Sequence, residues 1–259
     1  MKSADNKNYI YQKSQLIETI CQLRFPPILS IDAKAPADFQ EEIREIFPRY
    51  ECRQEKLPGG DGQTVKNHHF ISADGSCKLS LTKNFIALST VRYGGWARFA
   101  HMLDEALCQF IRIYKPAYFE RIGLRYLNGF SRAALGLSDR RWNDLLQSQY
   151  LGVLDDDAVE EADVVKCAVD MERKLDSRCV VKVHAGPGSI RRTIRTEQGM
   201  KTVQEPETRF ILDLDVYAAG NVPLNTAAET LELLHSHADQ IFSDAITDLL
   251  HEAMDPVEL

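Results

Sequence analysis

Apolar and polar residues alternate with a period of two over much of this chain, and two long stretches repeat every three to four residues instead. The period of two predicts a strand over 16–25 (LIETICQLRF) and three more at HHFIS (68–72), CKLSLT (77–82) and FIALSTV (85–91). Asp74-Gly75 is a tight-hairpin signal between two of them, because glycine accepts the positive φ that such a turn needs. A short helix is expected over 37–47, opened by Pro36 and stopped by Pro48. From Trp96 the spacing changes, and Trp96, Phe99, Leu103, Leu107 and Phe110 form one stripe of a helix over 96–113.

The same order then returns. A strand is expected over 118–128, a short helix over 139–148 with Ser138 as its N-cap, and strands at VVKCAVDME (164–172), CVVKVHA (179–185) and RFILDLDVY (209–217). The last helix is expected over 227–254, with Thr226 and Glu229 in capping-box spacing and an apolar stripe from Leu231 through Ala238 and Phe242 to Leu249. The expectation is an α+β fold in one domain over 1–259. Its antiparallel sheet would be built from a duplicated β-α-β-β-β-α unit, residues 15–115 and 117–254, with both long helices on one face. Leu23-Arg24-Phe25 and Leu124-Arg125-Tyr126 stand in corresponding places, and a β-bulge in the first strand would absorb its one extra residue. LDDDAVEEAD (154–163) and the basic segment GPGSIRRTIRTEQGMKTVQEPE (186–207) are expected as surface excursions, the second a long mobile loop.

Strand alternation also assigns faces. Phe210, Leu212, Leu214 and Val216 point one way, while Asp213, Asp215 and Tyr217 point the other. Val165, Cys167, Val169 and Met171 oppose Lys166, Asp170 and Glu172, and Cys179, Val181 and Val183 oppose Lys182 and His184. Arg121 and Arg125 fall on the polar side of their strand. A sheet face that needs only solubility can use Thr, Ser and Lys, so strands presenting both signs of charge point to a groove for a ligand or partner. Cross-strand ion pairs are the plainer explanation of the same residues.

Composition narrows the classes. Hydrophobic residues make up 44% and charged ones 27% of 259 residues, enough for a substantial core without staples. No apolar run reaches the roughly 20 residues that span a bilayer, and the start MKSADNKNYIYQKS has no signal core, so no membrane partner and a cytoplasmic protein are expected. The six cysteines show no Cys-x-x-Cys pair and no His at zinc spacing, and most read as small buried residues. A net charge of -7 argues against broad polyanion binding, which makes nucleic acid an unexpected partner unless a local basic patch exists.

Enzyme signatures are thin. Gly186-Pro187-Gly188-Ser189 followed by Arg191, Arg192 and Arg195 lacks the P-loop Lys-Ser/Thr, so a basic loop is the better reading. Asp170, Glu172, Asp213 and Asp215 could hold Mg²⁺ with Lys182 or His184 placing a water, as in a metal-dependent nuclease or phosphohydrolase; salt bridges to Arg121, Arg125 or Lys182 use the same groups. His235 and His237 are two apart on a helix and do not share a face. No Gly-x-Ser-x-Gly elbow is present, and no catalytic residue, metal or cofactor is assigned.

The segments LIETICQLRFPP, FQEEIREIFP, FIALSTVRYGGWARF, YFERIGLRYLN, ILDLDVY and FSDAITDLLHEAM, in this order and over nearly the whole chain, resemble a sporadically distributed, functionally uncharacterised bacterial family of about this length. The resemblance implies a bacterial protein and, by its patchy distribution, a setting such as a defence or toxin-antitoxin module; it implies no activity. The residues themselves favour a noncatalytic binding protein. It would engage a protein partner, a second copy of the chain among them, or a small polar ligand through Arg24, Arg121, Arg125, Lys182, His184, Asp213 and Asp215 on the sheet and Arg191 and Arg192 on the long segment. A small-molecule sensor domain is the alternative that needs an enclosed apolar pocket.

Overall fold

The computed structural model describes residues 9–56, 64–196 and 199–258, with the side chains of 192–201 outside that description. In chain order the elements are β1 (Tyr9–Tyr11), β2 (Leu16–Arg24), α1 (Leu29–Ala33), α2 (Ala37–Ile43), β3 (Arg49–Lys56), β4 (Thr64–Ile71), β5 (Cys77–Leu81), β6 (Phe85–Thr90) and α3 (Trp96–Tyr114). They continue with β7 (Phe119–Phe130), α4 (Arg132–Leu135), α5 (Trp142–Leu145), β8 (Val169–Lys174), β9 (Cys179–Thr196), β10 (Gly199–Val222), α6 (Ala227–Ala245), α7 (Asp248–Ala253) and β11 (Pro256–Glu258).

Nine strands form one antiparallel sheet in the order β3-β4-β5-β6-β2-β7-β10-β9-β8. The α+β class and the antiparallel sheet are as the alternation predicts. From β4 to β8 the order is symmetric about the central β2–β7 pair, with β6 and β10 in matching places and β5 and β9 outside them. Such an order is an arrangement of strands and says nothing of ancestry.

The apolar face is where the period of two places it. Phe210, Leu212, Leu214 and Val216 are wholly buried, as are Ile122 and Leu124 on β7 and Cys21 and Leu23 on β2. Burying each large side chain stabilises the fold by roughly 1.5–3 kcal/mol, so this face dominates the energetics. Phe25 stacks on Phe110 of α3 at 4.8 Å, and Phe39 of α2 meets Phe70 edge-on at 5.4 Å. In the other half Phe210 meets Trp142 and Phe130 meets Phe242 of α6. Lys115, left-handed at φ 49°, ends α3 just before Pro116, which cannot continue it. Among the described residues no helix is long and apolar enough to cross a membrane.

Several local expectations fail for physical reasons. The helix expected over 139–148 shrinks to the single turn of α5, Trp142–Leu145, whose N-cap is Arg141 and not Ser138, and a separate turn, α4, precedes it with Ser131 accepting from the Ala134 amide. The helix expected over 227–254 breaks at Ile246, which bridges to Leu146, and Thr247 then caps α7. The break shifts the phase, so Leu250 is buried and Leu249 is 37% exposed. Thr226 donates to the Pro223 carbonyl, and the capping box with Glu229 does not form.

β8 starts at Val169, not Val164, which leaves Val165 fully exposed. β3 was not expected; its residues RYECRQEK lie at the sheet edge and are mostly polar. The bulge in β2 lies between Leu16 and Glu18, ahead of the place the sequence comparison pointed to. Cys21, Cys77 and Cys179 are buried, but Cys52 and Cys108 are exposed.

The largest correction concerns residues 186–207. They are not a loop: β9 and β10 pair through them as a long hairpin, Val203 opposite Arg192 and Gly199 opposite Thr196, with a register shift between Gln204 and Thr208. The β-branched residues Ile190, Thr193, Ile194, Thr202 and Val203 stand among the charges, and such residues favour a paired strand.

Gly186 sits where the 150–168 excursion crosses β9. A Cβ there would lie 2.5 Å from the Cys167 carbonyl oxygen and 3.0 Å from the Ala168 Cα, both backbone atoms with little room to yield. Gly186→Ala is expected to cost about 1–3 kcal/mol in urea or thermal unfolding, the usual range for overpacking; a melting curve matching the parent would show that the excursion does not pack there.

Candidate functional site

The two faces of the sheet carry two different sites. On the polar face, Arg125 sits in register with Asp215 but reaches diagonally to Asp213, its Nε donating to Oδ1 at 2.7 Å and its Nη2 to Oδ2. Arg121 donates to both oxygens of Asp215 at 2.8 and 2.7 Å and lies 4.4 Å from the ring centre of Tyr217. Tyr217 donates to Glu172 at 2.8 Å, Lys182 stands 3.5 Å from Glu172, and His184 Nδ1 is 2.7 Å from Asp170. The Tyr217 hydrogen bond, first of several effects, holds the Glu172 carboxyl below its usual range.

Each carboxylate offered to a divalent ion by the sequence thus has an arginine, lysine, tyrosine hydroxyl or histidine ring beside it. The expected residues Arg121, Arg125, Lys182, His184, Asp213 and Asp215 are together, around an open depression of about 400 Å³ lined by Arg125, Lys182, His184 and the acids. Arg24 lies opposite Arg121 in register and donates to Gln22, and exposed Arg191 stands further along β9. The side chain of Arg192 lies outside the described residues.

On the helix side there is a cavity of about 420 Å³ that the sequence did not reveal. α3 begins at Trp96 and α6 passes beside it, and between them the sheet centre is left open at Tyr126, Asn128 and Leu214. β1 closes one side. It pairs with β11 in a two-stranded sheet, Ile10 opposite Val257, and Tyr11 bonds to His251 Nδ1 at 3.0 Å and packs edge-on to Phe242. Aromatic rings dominate the walls: Tyr9, Tyr11, Tyr93, Trp96, Tyr126 and Phe242.

The polar groups converge on His235. Its ring stacks on Trp96 at 4.4 Å with a tilt of 17°, and its Nδ1 lies 3.0 Å from the Tyr126 hydroxyl, which in turn lies 3.3 Å from that of Tyr93. Burial lowers the His235 pKa against the opposing pull of Asp239 and Glu232, so the ring is neutral near pH 7. Burial also pushes the Tyr11 hydroxyl up to about 12, with Asp239 adding to the effect, and raises Tyr93 and Tyr126 as well. Asp239, one helical turn beyond His235, keeps solvent contact through the cavity mouth, yet the surrounding protein raises its carboxyl above the usual range. Trp96 Nε1 donates to Glu232 at 2.8 Å, whereas Asp239 makes no hydrogen bond among the described residues.

A third cluster joins Asp176, Cys179 and His237, whose donor atoms lie within 4.8 Å of one another. Its internal bonds account for it: Asp176 Oδ1 accepts from the Arg178 and Cys179 amides to hold the β8–β9 turn, and Oδ2 lies 3.1 Å from His237 Nε2, tying that turn to α6. No protein-family model matches the chain, and no curated protein matches it.

Two predictions follow from these geometries. Arg125 is paired through two nitrogens with a carboxylate only 15% exposed, so Arg125→Ala is expected to cost about 1–2 kcal/mol, between an exposed and a buried pair. Adding Asp213→Asn is expected to recover part of that in a double-mutant cycle; strict additivity would show the pair to be uncoupled.

Because the folded state holds His235 below its ordinary value of 6.5, its contribution to stability is complete above that value and is lost as pH falls below it. Unfolding curves between about pH 7 and pH 5 are expected to show a smaller loss in His235→Gln than in the parent. An equal loss would mean that His235 does not titrate abnormally.

Proposed function

We propose that this chain is a noncatalytic binding protein whose ligand is a small molecule held in the cavity between α3, α6 and the sheet centre. One observation carries the reading: a 420 Å³ space with aromatic walls onto which a few polar groups converge, the usual make-up of a small-molecule site. The opposing face is less available, because its charged groups are satisfied by each other and a ligand would have to displace short internal pairs. A protein partner on that face is the second reading, favoured by the open depression around Arg125 and Lys182 and by exposed Arg24 and Arg191. A ligand sensor fits the bacterial defence or toxin-antitoxin setting implied by the family resemblance.

Ala97 lies at the cavity mouth on the first turn of α3 and is exposed, so a large side chain there obstructs the opening without disturbing the core. Native mass spectrometry of the protein incubated with a small-molecule extract of bacterial cells is expected to show a bound species that is lost on denaturation and absent from Ala97→Trp. Equal adducts on both proteins, or none on either, would contradict the cavity reading.

A further inference from the structure

The charge balance of the cavity is one-sided. Among the described residues its lining contains two acids, Glu232 and Asp239, and neither lysine nor arginine. The one imidazole among them, His235, is held neutral and is occupied by the Tyr126 hydroxyl on one side and the Trp96 face on the other. Glu232 already accepts the Trp96 indole N–H, while Asp239 accepts nothing among the described residues. It shares the cavity lining with Tyr11, Tyr93 and Tyr126.

Asp239 is exposed to solvent on one side, and a carboxylate partly screened from water beside aromatic rings favours a cation or a proton near it. Aromatic faces attract cations through their quadrupoles, and an aromatic cage with a nearby carboxylate is a recurrent way to bind organic ammonium groups. An anionic ligand would meet the same two acids with no lysine or arginine among the described lining residues to offset them. The volume exceeds what a bare metal ion or a single water needs and is suited to a molecule with an apolar body.

Resting on the cavity reading above, we infer that the ligand is a small organic cation, an ammonium group on an apolar or aryl body, with its charge at Asp239 and its body between Trp96 and the tyrosines. Three soluble probes with one aryl body separate the possibilities: phenethylammonium, 2-phenylethanol and 3-phenylpropionate, titrated up to millimolar concentration. Isothermal titration calorimetry is the readout, on the parent and on each variant.

The ammonium is expected to bind at least about tenfold more tightly than the alcohol, and the carboxylate least. Asp239→Asn, shown to be folded by its melting curve, is expected to remove that preference, so that ammonium and alcohol bind with similar affinity. Ala97→Trp is expected to abolish binding of both. If the alcohol or the carboxylate binds as well as the ammonium and Ala97→Trp abolishes it, the cation assignment is wrong and the cavity reading stands. An ammonium preference that survives in Asp239→Asn also overturns the assignment. Binding that persists in Ala97→Trp, or no response to any probe, overturns the assignment together with the cavity reading.

Discussion

A sheet nine strands wide has two faces, and two long helices can cover only part of one of them. Much of the structure answers to that constraint. The central strands β2, β7 and β10 send Cys21, Leu23, Ile122, Leu124, Leu212, Leu214 and Val216 into the helix side, and the period of two then commits Arg24, Arg121, Arg125, Asp213 and Asp215 to the other. Charges placed so close on one surface repel or pair. Here they pair, Arg121 with Asp215 and Arg125 with Asp213, and the result is a face stitched across neighbouring strands by short hydrogen bonds.

The helix side is covered incompletely. α3 and α6 each run for 19 residues, but at the N-terminal end of α3 the space between them is not filled by side chains of either. Two segments far apart in sequence meet there instead: β1 pairs with β11, and the Gln12 and Lys13 amides donate to the carbonyls of Asp255 and Met254. A strap of this kind walls the space without packing it solid, which distinguishes it from the dense cluster around Phe25, Phe39 and Phe110 in the first half. The consequence is a cavity with ring faces, hydroxyls and one carboxylate that has no hydrogen-bond partner among the described residues, placed over the middle of the sheet.

How much of this was legible in the sequence follows from the range of each signal. The faces of β7 and β10 were legible because alternation is a local property, and RFILDLDVY keeps it for nine residues. The end of α6 was not, because the apolar stripe runs on past Ile246 and only the tertiary bridge from Ile246 to Leu146 interrupts it. Residues 186–207 carry no apolar alternation, and Gly, Pro and Arg outweigh their β-branched residues, so only the pairing of β9 with β10 makes them strand.

The candidate residues on the polar face came together as alternation required, yet nothing local told which arginine would take which aspartate. The cavity was invisible for a stronger reason. Its walls come from segments far apart in sequence, near residues 9–16, 93–97, 126–128 and 232–242 with Leu214 and Met254, and Trp96, which helps to line it, reads in sequence as one more member of a core stripe. A clue did exist in hindsight: Glu232, His235 and Asp239 share one helix face at spacings of three and four.

The most direct measurement is a crystal structure of the protein grown with a phenylalkylammonium salt. Ring density between Trp96 and the tyrosines with the ammonium beside Asp239, and the Arg125–Asp213 pair left intact, is the predicted result. Density confined to the depression around Arg125 and Lys182, or an aryl body in the cavity with its ammonium turned away from Asp239, would contradict it.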